Sequence, residues 1–107
     1  ERLLALDPRP TAIFACNDLM AIGTLHVAAR NGLRIPVDLS VIGFDDTPEA
    51  ALACPPLTTM RQPLHAMGEM AADLVCRLID GEQPERMRVT VKTELIVRSS
   101  TGRIPND

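Results

Sequence analysis

Two pairs of hydrogen-bonding residues sit where apolar runs end. Asn17-Asp18 follows the run Thr11 to Cys16 in "TAIFACNDLM", and Asp45-Asp46 follows the run Ser40 to Phe44 in "SVIGFDD". An amide and carboxylates held at a rigid edge can accept hydrogen bonds from sugar hydroxyls or from the exocyclic amine of a base, since an ionised carboxylate offers about four lone-pair sites. The ligand this implies is small, polar and rich in donors. The bland account is helix capping: Asn and Asp are favoured N-caps because a side-chain oxygen takes one of the unpaired N–H groups of the first turn. One cap per helix explains one residue at each corner and leaves the second unexplained. An oxygen-only cluster also suits magnesium or calcium, but a metal would compete with capping for the same oxygens. Phosphate fits poorly, because no Gly-rich loop precedes the first helix and acidic groups repel an anion from its N-terminus.

The elements that must hold these corners can be read from the apolar spacing. Pro8 and Pro10 end an apolar helical tail containing Leu3, Leu4 and Leu6, and the run Thr11 to Cys16 suits a strand covered on both faces. Leu19, Ile22, Leu25 and Ala29 recur at helical spacing, and Asn31-Gly32 supplies a stop, so a helix is expected over about Leu19 to Arg30. Ser40 to Phe44 is a second strand. Strand, helix and strand in this few residues read as a right-handed parallel crossover, and in open parallel sheets ligands bind beyond the carboxyl ends of the strands, where both polar pairs fall. Thr47-Pro48-Glu49 starts a short helix through Ala53, with Thr47 or Asp46 as its cap. A short extended piece over Leu57 to Met60 precedes the longest helix, which Pro63 opens and Gly81 closes. Its stripe is Leu64, Met67, Ala71, Leu74, Val75 and Leu78. Arg86 to Val91 and Glu94 to Arg98 alternate as strands do, and the polar residues after Ser100 are expected to fray.

Composition narrows the function classes. With 46% hydrophobic and 23% charged residues in 107, the chain is one globular domain or part of one. It opens at Glu1 on what reads as the end of a helix, so a fragment of a longer protein is expected. A net charge of −3 with dispersed Lys and Arg argues against a phosphate-gripping face for nucleic acid in this segment. No stretch approaches the roughly 18 apolar residues of a membrane span, and no signal-peptide pattern is present in these residues. Cys16, Cys54 and Cys76 are odd in number and far apart, so neither a disulfide framework nor a zinc site is indicated; buried thiols in a reducing cytoplasm are expected. His26 and His65 have no Cys at ligand spacing, nothing supplies an activated nucleophile, and no catalytic residue, metal or cofactor is assigned. Paired carboxylates could run glycoside hydrolysis only if they flanked one bond at about 5 to 10 Å, which spacing alone does not give.

Several stretches in series, "PTAIFACNDLMAIGTLHVAARNGLRIPVDLSVIGFDDTPEAALACPPLTTMRQP" and "ELIVRSST", resemble the C-terminal part of bacterial regulators of the lactose/galactose repressor (LacI/GalR) family, from about Pro10 to Thr101. The resemblance implies an α/β, parallel-sheet, three-layer lobe of a periplasmic-binding-protein-like fold, incomplete in this chain. Two such lobes are linked by three crossovers, with a sugar or nucleobase effector in the cleft. Residues 1–60 and about 92–101 would form the C-terminal lobe, and 63–91 would belong to the N-terminal lobe. By motif position Asn17, Asp18, Asp45 and Gln62 would contact effector, with Asp46 left to helix capping. Ile22, Leu25, Leu52 and Ala53 would form a homodimer face, the alternative being ordinary core residues, which for Leu25 has equal standing. Operator DNA would be bound by an N-terminal domain that these residues do not include. The competing function is a sugar-binding component of a transport system with the same fold, yet "LTTMRQP" and "ELIVRSS" are closer to the repressors. Effector stacking would need a ring from elsewhere, because the chain has no Trp or Tyr and Phe14 and Phe44 are expected to be buried in strands. If helix 64–80 returns to the other lobe, its apolar stripe needs a cover, since exposing it costs about 1.5 kcal/mol or more per large side chain. An isolated chain is expected to repack that helix, to swap it, or to be part of a larger protein.

Overall fold

In the computed structural model, which describes residues 2–83 and 87–104, both apolar runs form strands and pair in parallel. β1 (Ala12–Phe14) lies beside β2 (Ser40–Asp45), β2 pairs in parallel with β3 (Thr58–Arg61), and β4 (Glu94–Ile96) runs antiparallel to β3. The sheet order is β1-β2-β3-β4. Helix α1 (Asp18–Arg30) connects the first two strands and α2 (Pro48–Leu52) the next two. The chain divides into two units, one comprising the residues up to Arg61 together with those from Glu94 on, the other Gln62–Thr93.

In the first unit the core is built from Ala15, Ala21, Leu25, Ala28, Leu39, Val41, Ala50 and Leu57. The buried face of α1 is therefore Asp18, Ala21, Leu25 and Ala28, and Leu19 is exposed. This is not the stripe that the large side chains suggest. Small residues win because α1 lies close over Gly43 of β2, where a Cβ would collide with Asp18 Oδ1 and come within 3.0 Å of Leu57. Strand β1 is also less covered than its apolar run suggests: it stands at the sheet edge and Phe14 is exposed, while Phe44 in central β2 is half-buried. The first apolar tail forms a 3-10 helix, Arg2–Ala5.

The segment after β4 does not fray where sequence suggests. Ser100 is fully buried: its Oγ donates to Val41 O at 2.6 Å and accepts from Thr58 N at 2.8 Å, and Gly102 N donates to Ser40 Oγ. Two hydroxyls make this polar seam at the starts of β2 and β3, where they satisfy backbone groups buried at the ends of the ladder. The three cysteines are exposed and free rather than buried.

In the second unit, α3 (Leu64–Ile79) forms where the stripe predicts it, and none of its residues is buried. Its apolar side chains Met67, Met70, Ala71 and Leu74, with Val89 and Val91, line a cavity of about 210 Å3. The expected strand at 86–91 is not formed over residues 87–91, and Arg86 lies outside the described residues. Alternation alone makes no strand, because ladder hydrogen bonds need a neighbour.

Candidate functional site

The polar corners sit at the carboxyl ends of β1 and β2, adjacent parallel strands. Asn17 is the N-cap of α1: its backbone is extended and its Oδ1 accepts from Met20 N at 2.8 Å. Capping and exposure to a ligand are compatible here, since one lone pair and the amide NH2 remain for other partners. Asn17 and Asp45, with Leu19, Ile22, Thr47 and Glu49, line a cavity of about 280 Å3. Asp45 carries a left-handed backbone, φ 119°, and Asp46 follows at φ 61°. The Glu49 carboxyl is held below its usual range by its own backbone N–H and the Thr47 hydroxyl at the start of α2.

Asp18, the second residue of the pair, is held inside the lobe. It is fully buried, with Oδ2 accepting from Thr47 N at 2.8 Å and Oδ1 from the Thr59 hydroxyl at 2.5 Å. Both oxygens thus tie α1 to the start of α2 and to β3, and the carboxylate sits in the first turn of α1, where the helix dipole favours negative charge. Asp18 frames the corner and does not line its cavity. Gln62 is the first residue of the second unit, and its carbonyl accepts from Leu64 N.

Asp46 does not cap α2. Thr47 occupies the N-cap position, with no side-chain capping bond, and Pro48 fills the first turn. The Asp46 carboxylate instead receives Arg98 NH2 on one oxygen and Arg61 Nε on the other, each at 2.6 Å, and is almost wholly buried. Burial opposes its ionisation, but hydrogen bonds and charge from Arg98 and Arg61 outweigh that and hold its carboxyl below the usual carboxylate range. Arg98 is itself fixed, donating from NH1 to Leu57 O and from its backbone N to Thr58 Oγ1. Arg61 also faces Glu94 across the strands at 3.6 Å. Sequence reading missed Arg61, Arg98 and the Thr59 hydroxyl; the available signal was the excess of one carboxylate at each corner, which required cations or donors from elsewhere in the chain.

Of the residues expected on a dimer face, Leu52 is exposed, Ile22 and Ala53 are half-buried against the core, and Leu25 is 3% exposed. Leu25 belongs to the core of the first unit. Among the described residues no group of His, Cys, Asp or Glu is arranged to hold a metal ion. No helix among them is long and apolar enough to cross a membrane.

A mostly parallel sheet places these polar groups beyond adjacent strand ends, where open α/β sheets bind their ligands. Comparison with known proteins agrees: residues 1–101 match the periplasmic binding protein-like domain. The lactose operon repressor of Rhizobium radiobacter is 47% identical over 100 residues, covering 94% of this chain and 88% of that sequence. A transcriptional regulator CelR–cellobiose complex superposes with a TM-score of 0.85 at 40% identity, over 91% of this chain and 30% of that one. A Lac repressor dimer bound to operator and the anti-inducer ONPF superposes with a TM-score of 0.82 at 32% identity, over 92% and 34%. The chain belongs to the periplasmic binding protein-like domain family and, within it, to the LacI/GalR transcriptional regulators. It spans about a third of the length of several curated relatives it matches.

Proposed function

We propose that this chain is the effector-sensing and dimerising segment of a LacI/GalR-type DNA-binding transcriptional regulator. The observation that carries this reading is the cavity in which Asn17 and Asp45 meet beyond adjacent strand ends. A neutral amide beside a carboxylate suits a ligand that donates several hydrogen bonds without carrying negative charge, such as a sugar or a nucleobase. The cellobiose held by the structural relative supports the sugar class. By motif position Asp18 and Gln62 are proposed as effector contacts as well, Asp18 also holding the corner through Thr47 and Thr59.

The division of the chain at Arg61 and Glu94 supports assigning residues 63–91 to the other lobe of a two-lobed core. An α3 with no buried residue supports a cover supplied by elements outside this chain. Dimerisation through the exposed Leu52 with Ile22 and Ala53 is supported by the dimeric state of the Lac repressor relative. Operator DNA is contacted by a segment outside these residues, in keeping with their net charge of −3. The function is binding rather than turnover, in the cytoplasm where the operator lies. The test is calorimetric titration of the protein carrying this chain with cellobiose and other sugars. Binding that is lost in Asp45→Ala supports the reading, and a sugar bound equally well by that variant overturns it.

A further inference from the structure

At the end of β2 the backbone takes two left-handed steps in a row, φ 119° at Asp45 and 61° at Asp46. Aspartate tolerates the second value, whereas the first lies where any side chain bearing a Cβ is disfavoured, and such a conformation persists only when its surroundings over-determine it. The surroundings here are specific. The Asp46 carboxylate is gripped at 2.6 Å by Arg98 and by Arg61, Arg98 is anchored on Leu57 O and Thr58 Oγ1, and the next residue's N–H is taken by Asp18. Residues 46 and 47 are therefore fixed from two sides, and Asp45 must span the gap between them and the β2 ladder. Arg61 is opposite Asp45 in the β2–β3 register, and Glu94 is opposite Arg61 in the next.

We propose that Asp46 is the positioning residue of the corner: its carboxylate, held between Arg98 and Arg61, imposes the left-handed conformation of Asp45 and so sets how residue 45 meets the Asn17 cavity. Its bearing on effector recognition rests on the function proposed above. Its physical content does not, because strain imposed by a clamp is measurable without any ligand.

The experiment is a double-mutant cycle on the full chain, read by urea and thermal unfolding. Asp45→Gly relieves the disfavoured backbone and is expected to shift the folding equilibrium toward the folded chain by about 5- to 30-fold. In an Asp46→Asn background, where the clamp is cut and Asp45 has already relaxed, the same substitution is expected to gain less than about twofold. Arg61→Met, at a half-exposed partner, is the second background and carries the test if Asp46→Asn does not fold; the gain there is expected to fall between the two. An equal gain from Asp45→Gly in every background would make Asp46 an ordinary structural ion pair and overturn the proposal, as would destabilisation by Asp45→Gly in the unmodified chain. Failure of this cycle leaves effector binding at Asp45 untouched, and failure of the sugar titration leaves the clamp untouched, so the two outcomes are separable.

Discussion

Replacing Asp18 by alanine should unfold the corner from below. The carboxylate is fully buried, and it accepts one bond from Thr47 N at 2.8 Å and another from the Thr59 hydroxyl at 2.5 Å. Hydrogen bonds to a charged group contribute about 1.5 to 3 kcal/mol each, and a carboxylate in the first turn of a helix adds about 0.3 to 1 kcal/mol. Against these stands the desolvation of the buried charge, which alanine removes. The two bonds share one carboxylate and do not simply add, so the net loss expected is about 3 kcal/mol, a large part of the roughly 5 to 15 kcal/mol typical of a domain. Asp18→Asn should cost about 2 kcal/mol: its carbonyl keeps one donor, while its NH2 faces the other and leaves a buried N–H or hydroxyl unpaired. Urea unfolding followed by far-ultraviolet circular dichroism is the assay, because the chain has no Trp or Tyr to report by fluorescence. The midpoint should fall while the slope stays constant. A loss under about 1 kcal/mol for Asp18→Ala would refute the view that this carboxylate ties α1 to α2 and β3.

Other outcomes follow from the same geometry. Gly43→Ala should destabilise by about 1 to 3 kcal/mol in the same assay, because the added methyl meets Asp18 Oδ1 and lies 3.0 Å from Leu57; an Asp18→Ala background should reduce that penalty. Asp46 has its carboxyl held low in the folded chain, so its ion pairs stabilise above the unfolded value near pH 4, and that contribution is lost as pH falls through the folded value. Thermal unfolding from pH 6 to pH 2 should therefore show a decline below about pH 4 that is shallower in Asp46→Asn. Leu52→Lys, at an exposed apolar position of α2, should shift sedimentation from dimer to monomer with the melting temperature of the monomer little changed.

Much of the frame was legible in the sequence because it depends on local chemistry. Asn17 caps α1 and Pro48 begins α2 as capping preferences dictate, and the runs at 12–14 and 40–45 pair in parallel as the helical crossover between them requires. The face of α1 was not legible: large apolar residues suggested Leu19, Ile22 and Leu25, while close packing over Gly43 selected Ala21, Leu25, Ala28 and a buried Asp18. A buried aspartate resembles a surface cap until its long-range donors are known. Thr59 is 41 positions away, and the clamp on Asp46 uses Arg98 from 52 positions away. Spacing cannot report such pairs, because charges that meet only after the sheet forms leave no periodic trace. The strand expected at 86–91 shows the converse, an alternating pattern that has no ladder partner over its described residues.

The most direct measurement is calorimetric titration of a panel of sugars and nucleobases into the protein carrying this chain, repeated with Asp45→Ala and Asn17→Ala. A donor-rich neutral ligand should bind, and each substitution should weaken it, Asp45→Ala by about 1.5 to 3 kcal/mol, or 10- to 150-fold in affinity. A ligand that binds with unchanged affinity to both variants would contradict the assignment of this corner as the effector site.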